Sequence, residues 1–243
     1  MTKKQNAFIL TIAGFFLFLA IGCERPGKVI GDGVTDIDGN EYPTVIIGDQ
    51  EWMAENLKTT KYNDGREIPN ATGNLDWKNL NTGAYAWYNN DYDEFGAVYG
   101  ALYNWYAVET GNLCPEGWRV PGDKDWKILE GTVDSEYNVG HSEWDGTGWR
   151  GKDAGKRLKA VKGWNEEGNG TDDHGFSALP GGSRFGSNGR FDFIHNYGNW
   201  WTATESYGNN AWRQRLYNNN NTSNRYNYTK QNGYSVRCLR DID

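Results

Sequence analysis

The chain has 243 residues, a formal net charge of −7, and 12 Trp, 15 Tyr and 9 Phe. This aromatic content excludes a disordered chain, because disordered segments lack large apolar side chains to bury. The acidic balance, with no clustered Lys/Arg face, excludes nucleic acid as a partner. The length favours one domain, which we expect to be loop-rich with an aromatic core.

The N-terminus has the pattern of an export signal. Lys3 and Lys4 precede an apolar run over residues 7–22, which ends at Cys23. A transmembrane helix needs about 20 apolar residues, and this run is shorter. The pattern predicts a lipoprotein signal peptide over residues 1–22 and lipidation of Cys23. An uncleaved membrane anchor is the alternative, and in both cases the rest of the chain leaves the cytoplasm.

A tether and a hairpin are predicted next. Residues 23–35 are polar and Gly-rich without hydrophobic periodicity, which predicts a lipidated flexible tether. We expect the ordered domain over residues 36–243. It begins with strands at residues 45–47 and 52–56, which a Gly-Asp turn separates.

Two helices are predicted in the middle of the chain. The first, over residues 99–110, places Trp105 and Tyr106 on an apolar face at helical spacing. The second begins after Pro121, with Gly122 or Asp123 as its cap. Negative charge in its first turn suits the helix dipole.

Short β-rich runs separated by Gly and Asn follow Ser142. The predicted strands lie within residues 175–184, 189–194, 199–206, 211–217 and 233–241. Short strands after two helices predict an α+β domain with antiparallel pairing. In the last run, Tyr234, Val236 and Cys238 share one strand face, which would bury the sulfur.

Removal of the signal peptide leaves two cysteines, Cys114 and Cys238. An even pair in an oxidising compartment predicts one disulfide. The bridge would close a loop of more than 120 residues, for which the chain-entropy model gives roughly 4 to 5 kcal/mol. Neither thiol would then be available for catalysis.

Six sequence blocks, in order, closely resemble the Fibrobacter succinogenes major paralogous domain family. They lie at residues 36–65, 99–108, 113–126, 175–184, 200–206 and 233–241. The resemblance covers about residues 33–242. It implies an exported protein of a Gram-negative bacterium, often an outer membrane lipoprotein facing the periplasm or the exterior, with no established biochemical activity for the family.

A more distant resemblance bears on the fold. Residues 118–126 and 233–240 are similar to the helix entry and the C-terminal strand of formylglycine-generating enzymes. This implies a C-type-lectin-like fold, in which two helices flank twisted antiparallel β-sheets. The chemistry of those enzymes uses paired copper-binding cysteines. Because Cys114 and Cys238 are assigned to a disulfide, that activity is not implied here.

Catalytic motifs are absent from the sequence. His141, His174 and His195 are the only histidines, and none has the spacing of a zinc motif. No G-x-S-x-G is present. Ser183, after two glycines and near His174, leaves a hydrolase with an unrecognised site as an alternative.

One acidic loop could bind calcium. Asn89, Asp91, Asp93 and Glu94 supply the oxygen ligands that this ion prefers. A solvated loop is the alternative. We expect no other cofactor.

The C-terminal third carries the candidate ligand-binding residues. They are Trp200, Trp201, Trp212, Arg213 and Tyr217. Sugar rings stack on exposed Trp or Tyr while polar groups hold the hydroxyls. Adjacent residues of a strand face opposite sides, so at least one of Trp200 and Trp201 is expected to join the core.

We therefore expect a non-catalytic lipoprotein domain of the cell envelope or surface, held at the membrane by its N-terminal lipid, that binds a glycan or a surface protein. A structural envelope or appendage component, which would self-associate through exposed strand edges, is the first alternative. The hydrolase is the second.

Overall fold

A computed structural model of the protein describes residues 27–242 and shows a mixed α/β chain with mostly sheets and few helices. The strands are β1 (Val29–Ile30), β2 (Val34–Thr35), β3 (Glu41–Tyr42), β4 (Thr44–Ile47), β5 (Gln50–Met53), β6 (Tyr85–Ala86), β7 (Leu102–Tyr103), β8 (Gly148–Arg150), β9 (Gly181–Arg184), β10 (Phe191–Ile194), β11 (Tyr197–Glu205), β12 (Asn210–Tyr217), β13 (Ser223–Thr229) and β14 (Leu239–Asp241). The α-helices are α1 (Asn74–Lys78), α2 (Ala97–Tyr99), α3 (Trp105–Val108), α4 (Asp123–Val133) and α5 (Ala154–Leu158). The predicted signal peptide and Cys23 lie outside the described residues.

Two four-stranded antiparallel sheets organise these elements. One has the order β1-β4-β5-β14, and the other has the order β11-β12-β13-β8. The pairs β2-β3, β6-β7 and β9-β10 form small two-stranded sheets. The first sheet therefore brings the beginning and the end of the described chain together.

The predicted hairpin is present as β4 and β5. Gly48 turns the chain with φ 63°, a conformation that glycine adopts without strain. Val45 and Trp52 lie opposite each other in the pairing register, and both are buried. The second strand ends at Met53, three residues earlier than predicted.

Helix α4 confirms the second predicted helix. Gly122 is its N-cap, and the Gly122 N–H donates to the Asp125 carboxylate over 2.7 Å. This carboxylate also places negative charge at the positive end of the helix dipole. Trp126 and Leu129 are buried on one face of the helix, which packs against β11. Among residues 27–242, none of the helices has the length and apolar character required to cross a bilayer.

The buried side chains form two large clusters, and β11 contributes to both. Trp200 belongs to a cluster with Trp126 of α4, and Trp201 belongs to a cluster with Tyr234. The ring centroids of Trp201 and Tyr234 are 4.6 Å apart. Alternation along the strand sends the two indoles to opposite sides of the sheet, as the sequence predicted.

The disulfide is confirmed. Cys114 and Cys238 are bonded at an S–S distance of 2.00 Å across a sequence separation of 124 residues. Both are buried in the cluster that contains Trp201, together with Tyr234 and Val236 as predicted. The bridge therefore fixes the C-terminal segment inside the core.

The prediction of a helix over residues 99–110 is wrong for most of its length. Gly100 has φ 75°, and a Cβ at this position would lie 2.8 Å from the Leu57 carbonyl oxygen. Strand β7 then pairs with β6, and only α3 is helical after it. Pairing with distant strands overrides the helical spacing of the apolar residues, because such contacts outweigh local propensity.

The predicted tether is also wrong over its described part. Strand β1 pairs with β4, and β2 pairs with β3. Lys28 Nζ lies 2.7 Å from an Asp172 carboxylate oxygen. Backbone pairing along an existing strand requires no hydrophobic periodicity, so composition alone indicated a flexible segment.

Removing the disulfide should destabilise the protein. We expect Cys114→Ala/Cys238→Ala to lower the free energy of unfolding by about 2–5 kcal/mol, because the unfolded chain regains the freedom of a long loop. Urea unfolding followed by circular dichroism measures this change. The single alanine variants are the matched controls. Each of them also breaks the bridge, so each should lose a similar amount of free energy of unfolding. An unchanged urea midpoint in the double variant would contradict the expectation.

Candidate ligand-binding site

Four strands place aromatic side chains on one face of the second sheet. Tyr197 of β11 pairs with Tyr217 of β12, and Trp149 of β8 pairs with residue 224 of β13. Residues two apart on a strand share a face, so Tyr226 and Tyr228 lie on the same side. We name Trp149, Tyr197, Tyr217, Tyr226 and Tyr228 the aromatic face.

Three rings of the aromatic face form a series, Tyr226 and Tyr228 form a separate pair, and both groups are partly open to solvent. The Tyr217 ring centroid lies 4.6 Å from that of Tyr197 and 6.3 Å from that of Trp149. Trp149 is 43% exposed and Tyr226 is 49% exposed. Large apolar rings are therefore accessible beside one another on a rigid sheet.

Two arginines of β12 lie on the same side. The guanidinium carbon of Arg215 is 4.3 Å from the Tyr197 ring centroid, and that of Arg213 is 4.8 Å from the Tyr228 ring centroid. Arg215 Nε donates to Asn199 Oδ1 over 2.8 Å. Stacking on tyrosine holds both planar groups in fixed positions.

A cleft of about 410 Å³ opens between this face and the β9-β10 hairpin. Its lining residues are Ser183, Phe185, Ser187, Phe193, Tyr197, Arg215, Tyr228, Thr229, Asn232 and Tyr234. Phe193 has φ 68°, which is an uncommon and strained conformation for an aromatic residue. The cleft therefore combines apolar rings with hydroxyl, amide and guanidinium groups, the composition of small-molecule sites. We refer to it as the aromatic cleft.

Arg213 lies beneath the cleft and is incompletely hydrogen-bonded. It is 1% exposed, and its Nη2 donates to Asn224 Oδ1 at a distance of 3.3 Å. Its Nε and Nη1 have no hydrogen-bond partner. Burial, and secondarily the charge of Arg215, lower the pKa of Arg213 to about 10. It remains protonated at neutral pH and carries its charge in a poorly solvated position.

The structure corrects the predicted ligand surface at four of its five residues. Trp200 and Trp201 are 1% and 0% exposed and cannot stack on a ligand, because both sides of β11 are covered. Trp212 lies on the opposite face, 3.5 Å from the Arg225 guanidinium carbon. Arg213 is buried. Tyr217 alone takes part in the aromatic face directly.

The four predicted calcium ligands lie in one loop at the surface. Asp91 caps a turn by accepting the Glu94 N–H over 2.9 Å. Asn89, Asp93 and Glu94 are exposed. No group of three or more His, Cys, Asp or Glu side chains converges in residues 27–242 as a metal site would require. Calcium binding stays a prediction that no contact in this loop supports.

Ser183 and His174, the residues of the hydrolase alternative, do not form a hydrogen bond with each other. Ser183 lies within β9 and is 2% exposed, although its side of the strand adjoins the aromatic cleft. His174 Nε2 has no hydrogen-bond partner, and burial lowers the pKa of this imidazole. Within the described chain no hydrogen bond connects a serine hydroxyl to a histidine, the pair by which histidine activates a serine nucleophile.

Sequence reasoning missed most residues of the site. Strand β13 was not predicted, so Tyr226 and Tyr228 were overlooked. The alternation of tyrosine with polar residues in "RYNYT", at 225–229, was the available signal. Arg215 repeats Arg213 at the same two-residue spacing and could have been found in the same way.

The profile of the Fibrobacter succinogenes major domain matches residues 45–240. The chain therefore belongs to this family, as the order of its sequence blocks predicted. No curated protein and no solved structure matches the chain. The matched range contains both four-stranded sheets except for β1, the first residue of β4 and the last residue of β14.

Replacing a tryptophan by alanine should lower the free energy of unfolding much more in the core than on the aromatic face. We expect Trp201→Ala to lower the free energy of unfolding by about 3–5 kcal/mol, because it leaves a cavity and removes the hydrogen bond that Trp201 Nε1 donates to the Tyr103 carbonyl over 2.9 Å. Trp149→Ala should change it by at most about 0.5 kcal/mol. Chemical denaturation of both variants measures the difference. Equal losses would contradict the assignment of Trp149 to an open face.

Proposed function

We propose that this protein is a non-catalytic lipoprotein domain of the cell envelope that binds a glycan on the aromatic face. The observation that carries the proposal is the series of partly exposed rings, beside guanidinium and amide groups, on one side of a rigid sheet. The C–H faces of a sugar ring are apolar and pack against such rings, while its hydroxyls need nearby donors and acceptors.

The arrangement suits an extended ligand. Trp149, Tyr217 and Tyr197 follow one another across the sheet, with β13 between β8 and β12, and the aromatic cleft adjoins Tyr197. Successive ring centroids are 6.3 Å and 4.6 Å apart, so these rings can meet successive parts of an oligosaccharide. A deep pocket for one small molecule would enclose its ligand more fully.

The envelope location rests on the N-terminal sequence and on the disulfide. The apolar run ending at Cys23 favours export and lipidation. Structural disulfides persist in oxidising compartments, and the bond between Cys114 and Cys238 is consistent with one. An outer membrane lipoprotein of a Gram-negative bacterium, with its lipid as the membrane contact and no nucleic acid partner, fits these features.

We also propose that the fold is C-type-lectin-like. Strand β14 pairs with β5 in the sheet that also contains β1. This pairing supports the proposal because it brings both ends of the described chain into one sheet. The longest helix, α4, packs against the second sheet. The other helices of residues 27–242 have five residues or fewer.

One observation favours the structural alternative. Strand β1 is the edge of the first sheet, and its residues Val29 and Ile30 are 52% and 67% exposed. An open apolar edge is a template for strand addition between chains. The strand has only two residues, so we expect it to support weak self-association at most. Sedimentation of the protein at increasing concentration distinguishes a monomer from an assembling component.

Glycan binding should depend on the aromatic face. We expect the full chain, purified in detergent, to respond to part of a glycan panel, and Tyr217→Ala or Trp149→Ala to weaken that binding about threefold to tenfold. Tyr207→Ala removes a ring that is 74% exposed in the β11–β12 turn and should leave affinity unchanged.

Isothermal titration calorimetry against the best panel ligand measures these affinities. Thermal unfolding of each variant shows whether the fold is retained. Absence of any response from the wild type, or an equal loss in Tyr207→Ala, would refute glycan binding on this face.

A further inference from the structure

Arg213 and Arg215 place two positive charges beside the aromatic cleft without a counter-ion. Residues two apart on a strand project to the same side, about 6.6 Å apart along the chain. None of the ion pairs formed within 4.0 Å among residues 27–242 includes either arginine. No aspartate or glutamate lines the cleft.

Other buried arginines in the described chain have compensating partners. Arg150 and Arg225 pair with the buried carboxylates of α4. Arg184 and Arg237 donate from all three guanidinium nitrogens, mainly to backbone carbonyls. Arg213 makes one long hydrogen bond and leaves two nitrogens unpaired. A buried charge without a counter-ion is destabilising, so the charge of Arg213 favours an anion bound nearby that the chain itself does not supply.

Arg215 is the arginine that reaches the cleft. Its Nε is held by Asn199 and its plane by Tyr197, whereas its two terminal nitrogens donate no hydrogen bond within residues 27–242. A planar guanidinium fixed in this way can bind a carboxylate through two parallel hydrogen bonds. Arg213, behind Tyr228, adds positive charge at close range in a poorly screened interior.

We infer that the ligand of the aromatic face is an acidic glycan, whose uronic acid stacks on the tyrosines of the cleft while its carboxylate binds Arg215. This inference rests on the proposed glycan binding. Arg213 acts as a supporting charge and not as a direct contact. The net charge of −7 does not oppose this arrangement, since exposed charges farther away than about 8 Å are largely screened at physiological ionic strength.

Paired ligands that differ only in charge test the inference. The full chain in detergent is titrated with a panel of uronic acid oligosaccharides, including oligogalacturonate, and with the methyl ester of each. We expect at least one free acid to bind about tenfold more tightly than its ester, because charged hydrogen bonds are lost on esterification. The affinity for the acid should fall as salt increases, whereas that for the ester should not.

Charge-removing variants locate the effect. Arg215→Gln should weaken binding of the acid about tenfold and remove most of the preference for the acid over its ester. Lys124→Gln removes an exposed charge from α4, on the other side of the sheet, and is the control for net charge. Arg213→Met should weaken acid binding while the melting temperature stays equal or rises, because the substitution removes an uncompensated buried charge.

The outcomes separate the inference from the function on which it rests. Equal binding of acid and ester, with both weakened by Tyr217→Ala, would overturn the acidic ligand and retain glycan binding. Wild-type acid affinity in Arg215→Gln would also overturn it. A protein that binds none of the acidic or neutral glycans would refute both proposals.

Discussion

The opposite orientation of Trp200 and Trp201 on β11 is the constraint on which the rest of the structure depends. Because adjacent side chains of a strand point to opposite sides, one indole anchors the cluster that contains α4, and the other anchors the cluster that contains the disulfide. Hydrogen bonds from the two indoles to Asn56 Oδ1 and the Tyr103 carbonyl fix the strand between these layers. The same alternation continues into β12 and β13, where it sorts arginines and tyrosines onto the aromatic face.

Buried arginines supply hydrogen-bond donors in the interior of a chain with little regular structure. Loops leave backbone carbonyls without partners, and buried carbonyls must be hydrogen-bonded. A guanidinium offers five donors in a rigid plane, so Arg184 and Arg237 each satisfy carbonyls of distant loops. Arg213 has the same burial without the same partners. This contrast distinguishes the structural arginines from the one that we infer to support ligand binding.

The sequence predicted those parts of the protein whose signals are local. Helix α4 has its cap and its apolar face within a dozen residues, and the β4–β5 hairpin has a Gly-Asp turn. The helix predicted over residues 99–110 failed because Gly100 and the pairing of β7 depend on strands far away in the chain. For the site, Tyr217 was found, whereas Trp200 and Trp201 were both named as candidates although alternation placed at least one of them in the core, and both are buried. Exposure of a tryptophan depends on what covers it, which composition does not contain.

By itself, the sequence determined the family, the disulfide partners and the side-chain alternation of each strand. It also contains the export signal that we propose. These follow from residue types and their spacing along the chain. Only the tertiary structure decided which face of the second sheet is covered. Helix α4 covers one face, and the other retains partly exposed rings above an unpaired guanidinium. The physical reason is that burial and charge compensation arise between residues distant in sequence, so they exist only once the sheets have packed.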